Sequence, residues 1–130
     1  ETQGTYNVLN ETSTSELWDG KYLAGPWLID SAIKKASIIA SQQGVGTIVI
    51  QKSSHIGCLA AYMEEATRNG NMVILACSDP DNATVAPFGG TTGVYSPNPL
   101  ALGIPTETEP LIIDVSMSAT SNGLIHQKTS

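Results

Sequence analysis

Thr47-Ile48-Val49-Ile50-Gln51-Lys52-Ser53-Ser54-His55-Ile56-Gly57 and the residues that follow it to Cys77 decide the fold of this chain. Thr47 to Ile50 is short, apolar and β-branched, which reads as a strand in a sheet covered on both sides. Gln51 and Lys52 end it. A helix is expected from about Gly57 to Asn69, with Leu59, Ala60, Met63 and Ala66 inward, Glu64 and Arg68 paired at i,i+4, and Gly70 as its stop. Met72 to Cys77 is then a second buried strand. Strand, helix and strand with tight connections predict a β-α-β unit, whose strands become parallel neighbours.

Upstream, Gly25-Pro26 opens a helix in which Ile29, Ala32, Ile33, Ala36, Ile39 and Ala40 share one face, and Gly44 ends it. Thr5 to Asp19 alternates loosely, as a peripheral strand pair would. Downstream, Leu100 to Ile104 and Leu111 to Val115 read as two further strands of the same sheet. The expected class is α/β, or α+β: a mixed sheet with a β-α-β core flanked by helices. Between the strands, Ser78 to Pro99 is rich in Asp, Asn, Gly and Pro and is too long for a turn, a length usually associated with function.

Size and charge bound the rest. The 130 residues suit a single domain or a domain fragment. Twelve acidic against six basic residues, with no basic cluster, argue against nucleic acid as a partner. Backbone amides would then have to carry most of the grip on any bound phosphate. No run approaches the length needed to cross a bilayer, and a cytoplasmic protein is expected. Cys58 and Cys77 suggest neither a disulfide framework nor a metal knuckle, and their positions favour burial. Two sequons, at Asn10 and Asn82, carry little weight without a signal peptide. Glu1 and Ser130 look like cuts through a longer polypeptide.

Gly44-Val45-Gly46 precedes a strand rather than following one and lacks the third glycine, so a Rossmann fingerprint is absent, as is a P-loop. His55 sits where a strand gives way to a helix, the place α/β sheets reserve for ligands. A neutral imidazole there can exchange a proton near neutral pH. The structural alternative, a histidine flanking a helix N-terminus, is the commoner role for such a residue. Ser54 beside it lacks a nucleophile elbow, which argues against a hydrolase. Asp114 is open between binding a ribose hydroxyl or a metal and capping the turn after its strand. Ser116, Ser118, Thr120 and Ser121 are hydroxyl residues suited to capping the next helix or meeting a ligand. His126 has no evident role.

The order Asp19-Gly20, Ser53-Ser54-His55-Ile56-Gly57, Ser78-Asp79-Pro80, Ala86-Pro87-Phe88-Gly89-Gly90, Asn98-Pro99, Ile104-Pro105 and Asp114-Val115-Ser116-Met117-Ser118 resembles the type 2 malate/L-lactate dehydrogenases. Ureidoglycolate, diketogulonate and cyclic-imine enzymes are relatives of that family. The resemblance implies the NAD(P)-binding portion of a non-Rossmann, homodimeric oxidoreductase that interconverts a 2-hydroxy acid and its 2-oxo acid, or reduces a cyclic imine. The portion alone is expected to be inactive. The rival is a non-catalytic small-molecule-binding or oligomerisation module of the same fold.

By the same resemblance, His55 is the candidate catalytic residue, a role that some members give instead to a histidine of an N-terminal arm. Asp114, Val115, Ser116 and Ser118 would bind NAD or NADP, while Ser54, Ser78, Pro87, Gly89, Gly90 and Asn98 would line the substrate pocket. No metal is implied. Where many members read Gly-Thr-Asn-Pro, this chain has Ser96-Pro97-Asn98-Pro99, which replaces a hydroxyl and a backbone donor with proline and bears on substrate or cofactor preference. A 2-oxo acid also needs a cation for its carboxylate. Among Lys21, Lys34, Lys35, Lys52, Arg68 and Lys128 the sequence singles out none, so that charge is expected from other segments or a partner subunit.

Overall fold

In a computed structural model that describes residues 4–119, the apolar runs form two three-stranded sheets rather than one. Strand β1 (Asn7–Glu11) pairs antiparallel with β2 (Ser15–Asp19), and β2 pairs parallel with β3 (Thr47–Gln51) in the register Ser15↔Thr47 to Asp19↔Gln51. Helix α1 (Gly25–Gln43) makes the crossover between β2 and β3. The β-α-β unit is therefore real, but it is β2-α1-β3. The α/β class stands, with its parallel pair one helix earlier than the sequence suggests. The pair that looked peripheral supplies in β2 the central strand of this sheet.

After β3 the chain makes a 3-10 turn, Leu59–Tyr62, and a short helix α2, Met63–Arg68, where a single helix from Gly57 was expected. Strand β4 (Val73–Ala76) then opens the second sheet, which is wholly antiparallel in the order β4-β5-β6 with β5 at Leu100–Ile104 and β6 at Leu111–Val115. The expectation that β3 and β4 are parallel neighbours is thus overturned. Apolar content marks a segment as a strand, but its partner is chosen by long-range register.

Helix α1 has Pro26 in its first turn and ends at Gly44, whose φ of 84° suits glycine and whose N–H returns to the Ala40 carbonyl. Leu28, Ile29, Ala32 and Ile39 are its buried apolar side chains. The core joins Ile29 to Ile56, Leu59, Met63 and Ala101, with Ile50, Val73, Leu75 and Ile112 packed around them, so the 3-10 turn and α2 lie against β5 while α1 closes the other side. Neither β3 nor β4 is covered on both faces: Val49 is 54% exposed and Ile74 64%. Cys58 is exposed and Cys77 half-buried, against the expectation of two buried thiols.

A charge is buried in the first sheet. Glu16, beside Trp18 on the inner face of β2, accepts the Trp18 indole N–H at 2.7 Å and pairs with Lys35 of α1 at 2.8 Å, while Tyr6 stacks on Trp18. Burial pushes this carboxyl up, but the bonds from Lys35 and Trp18 and the Lys35 charge outweigh it and hold its pKa below the ordinary Glu value. A carboxyl lowered by folding stabilises above its unfolded pKa and loses that contribution as pH falls through the folded value. With Lys35 partly in solvent, Glu16→Gln is expected to cost about 1 kcal/mol at pH 7. The cost should shrink as the pH drops below about 4. Urea midpoints of both proteins at pH 7 and pH 3 test this, and a constant gap between them would contradict it.

Candidate functional site

The carboxyl ends of the parallel strands β2 and β3 feed two loops that are laced together. The Gly20 N–H donates to the Gln51 carbonyl at 2.8 Å, the Tyr22 N–H to the Lys52 carbonyl at 2.6 Å and the Ser54 N–H to the Leu23 carbonyl at 3.3 Å. Ser54 closes the lacing with its side chain: its hydroxyl donates to the Leu23 carbonyl at 2.8 Å and accepts the Gly25 N–H at 2.9 Å. That hydroxyl spends its proton on the Leu23 carbonyl, which does not suit a nucleophile. Ser54 instead fixes the segment that carries His55 against the start of α1. Gly25 is required at this contact, because a Cβ there would lie 2.4 Å from the His55 carbonyl oxygen.

Beyond His55 the same segment is held a second time. Ile56 is buried and its carbonyl accepts the Tyr62 hydroxyl. Asp114 reaches over from β6, and its Oδ2 accepts the Ala60 N–H at 2.9 Å and the Cys58 thiol at 3.6 Å. Asp114 therefore caps, but it caps the 3-10 turn after His55 and not the turn after its own strand. Its Oδ1 has no hydrogen bond among the described residues. His55 lies between these two anchors, exposed, and its imidazole has no hydrogen bond or ion pair among the described residues. The 3-10 turn takes its cap from Asp114 with Cys58 at the N-cap, so the helix-flanking role does not account for His55.

The register Ala76↔Leu100↔Val115 brings three chain segments to one end of the second sheet, next to Asp114. Ser96, buried and overlooked in the sequence, ties them: its hydroxyl accepts the Asp79 N–H at 3.1 Å and donates to Asn98 Oδ1 at 2.6 Å. The Pro97 carbonyl accepts the Met117 N–H at 2.8 Å, and Asn98 adopts a φ of 43° with its amide on the Met117 sulfur. The Ser96-Pro97 variation thus keeps a hydroxyl at this junction and spends it on structure. The only candidate signal for it was the departure from the family pattern.

The other expected pocket residues divide. Ser78 and Asn98 lie at this junction, and Ser116 and Ser118 follow directly from β6 with their hydroxyls 3.4 Å apart. Val115 does not share the Asp114 face: one residue on in a strand, its side chain is on the outer face, 54% exposed. Pro87, Gly89 and Gly90 form an exposed turn, closed by the Gly90 N–H on the Pro87 carbonyl at 2.8 Å, beyond the bridge between Val85 and Tyr95. No hydrogen bond or ion pair among the described residues joins that turn to the His55 segment. Thr120, Ser121, His126 and Lys128 lie outside the described residues.

Four of the basic side chains are committed to carboxylates: Lys34 to Asp30, Lys35 to Glu16, Lys52 to Asp19, and Arg68 to both Glu64 and Glu109. The Asp19 carboxyl is held below its usual range by the Lys52 bond and by the Lys21 backbone N–H. No described helix is long and apolar enough to cross a membrane.

A family model described as malate/L-lactate dehydrogenase matches residues 1–130. The malate/(S)-sulfolactate dehydrogenase of Methanothermus fervidus is 31% identical over 122 residues, 94% of this chain and 35% of that protein. The (2R)-3-sulfolactate dehydrogenase (NADP(+)) of Chromohalobacter salexigens is 34% identical over 98 residues, 75% of this chain and 29% of its own length. Among solved structures, malate dehydrogenase from Entamoeba histolytica superposes with a TM-score of 0.87 at 27% identity, over 97% of this chain and 35% of that one. The chain spans about a third of the length of these relatives.

Proposed function

The chain belongs to the malate/L-lactate dehydrogenase family, and from that premise we propose that it is the cofactor-binding portion of a dehydrogenase acting on a 2-hydroxy acid, its 2-oxo acid or a related cyclic imine. The reading also takes the protein to be cytoplasmic, homodimeric and independent of a Rossmann domain, with NAD or NADP as cofactor. Relatives named for malate, for sulfolactate and for NADP(+) support it. The observation that carries it is the exposed His55 imidazole, without a hydrogen bond or ion pair among the described residues, on a segment fixed between the Ser54 and Asp114 anchors.

The residues present fit a nicotinamide and its ribose. Asp114 keeps one carboxylate oxygen uncommitted among the described residues, and Ser116 follows two residues on with an exposed hydroxyl, groups suited to sugar hydroxyls, while the imidazole stands on the segment that Asp114 caps. When bound, the nicotinamide supplies or accepts the hydride. A carbonyl that gains a hydride becomes an alkoxide and must be protonated as it forms. His55 is the group that gives this proton from a ring nitrogen, and in the reverse direction it takes the proton from the hydroxyl. Ser54 and Asp114 fix the backbone on either side of His55, so that less ordering of this segment remains for the moment of reaction. Ser78 and Asn98 belong to the pocket wall in this reading, and Pro87, Gly89 and Gly90 to a loop that meets the substrate.

Titration of the full-length polypeptide containing this chain with NADH is expected to quench tryptophan fluorescence and enhance NADH emission. Trp27, 44% exposed and two residues after the Gly25 that contacts the His55 segment, is the exposed reporter. A module that binds no nicotinamide would leave both signals unchanged, which would overturn the cofactor-binding reading.

A further inference from the structure

The turn after β2 is held in a backbone conformation that side-chain-bearing residues rarely adopt. Lys21 and Tyr22 are consecutive non-glycine residues with φ of 50° and 57°, and Lys52 across from them has φ of 56°. Such conformations are unfavourable for residues other than glycine and persist where surrounding contacts impose them, often at ligand sites. The imposing contacts are the lacing bonds to Gln51 and Lys52 and the bond from the Lys21 N–H to Asp19 Oδ1. They hold Lys21 and the 73% exposed Tyr22 at the carboxyl end of the parallel pair, on the loop whose next residues, Leu23 and Gly25, grip Ser54 beside His55. Ligands of such sheets bind at that end.

Charge singles out one member of this cluster. Lys52 is 2.8 Å from Asp19 Oδ2, so that pair is neutral, and the Asp19 Oδ1 is occupied by a backbone N–H. Lys34, Lys35 and Arg68 are likewise matched by acids. Lys21 is the cation among the described residues with no carboxylate at ion-pair distance, and it leaves the Asp19, Lys21 and Lys52 cluster with a net positive charge.

We propose that Lys21 is the cation that holds the carboxylate of a 2-oxo acid substrate, an inference that rests on the dehydrogenase reading of the His55 site. The arrangement gives the substrate two contacts on one platform: its reacting carbonyl at His55 and its carboxylate at the ammonium group. The strained turn fixes the lysine backbone before the anion arrives, which reduces the ordering cost of binding. An anion at this place has a second source, the 2′-phosphate of NADP, and the test separates the two.

In the full-length protein, Lys21→Gln and Lys21→Arg are compared with wild type in the reduction of whichever of pyruvate, oxaloacetate or sulfopyruvate wild type turns over fastest, with NADH and with NADPH. Lys21→Gln is expected to raise the KM for the oxo acid by about tenfold or more, the effect of losing a charged hydrogen bond. Its kcat should stay within about threefold of wild type, since no reacting atom is touched, and Lys21→Arg should recover much of the loss. An unchanged oxo-acid KM in a folded variant overturns the proposal. A rise confined to the KM for NADPH overturns it by assigning the charge to the cofactor phosphate. Wild type that reduces no oxo acid while binding NADH overturns the oxo-acid class for this site, a failure distinct from that of Lys21 alone.

Discussion

His55→Ala in the full-length protein is expected to lower kcat by ~10²-fold or more while leaving NADH affinity nearly unchanged. The separation follows from what the imidazole touches. It makes no hydrogen bond or ion pair among the described residues, so its removal leaves no buried partner unsatisfied and should cost little stability. The anchors around it are the Ser54 hydroxyl, the Tyr62 hydroxyl on the Ile56 carbonyl and the Asp114 carboxylate, and each survives the substitution. On the proposed reading, the loss is that of proton exchange with the reacting oxygen. Pre-steady-state mixing with NADH and substrate measures the chemical step, and turnover at the wild-type rate would move the acid-base role to another residue.

Gly25→Ala is expected to have the other large effect, on structure and rate together. An added Cβ would lie 2.4 Å from the His55 carbonyl oxygen, 2.5 Å from the Ser54 carbonyl oxygen and 2.8 Å from the His55 carbonyl carbon, all backbone atoms that no rotamer change can move aside. Either the first turn of α1 or the His55 segment must shift. Overpacking of this kind costs about 1–3 kcal/mol, and the displacement falls on the segment that carries His55, proposed as the acid-base residue, where a shift of about 1 Å can cost about 10²-fold in rate. A lowered urea midpoint together with a lowered kcat is the expected pair of results. A variant as stable and as active as wild type would show that the two segments are not locked as described.

Much of the fold was legible because its signals are local. The apolar spacing from Ile29 to Ile39 and the stop at Gly44 mark α1, and the β-branched run at Thr47–Ile50 marks β3. Sheet membership was not, because β3 and β4 carry the same local pattern while their partners, β2 and β5, are set by register across long stretches of chain. The contrast recurs at the site. The strand-to-loop position of His55 could be seen in the sequence, but the Ser54 hydroxyl is committed to Leu23 and Gly25, 31 and 29 residues away, and no local pattern announces it. For Asp114 the sequence left binding and capping open. Its Oδ2 caps the 3-10 turn at Ala60, a partner 54 residues away that neither alternative named. Val115 was grouped with Asp114 by motif, yet strand alternation sends the two side chains to opposite faces.

The most direct test is a crystal structure of the full-length protein with NADH and the unreactive 2-oxo acid analogue oxamate. The account predicts the His55 imidazole at hydrogen-bond distance, about 2.6–3.2 Å, from the analogue oxygen that stands for the reacting carbonyl, with the nicotinamide ring against it. A nicotinamide bound elsewhere, with the His55 imidazole still in solvent, would contradict it.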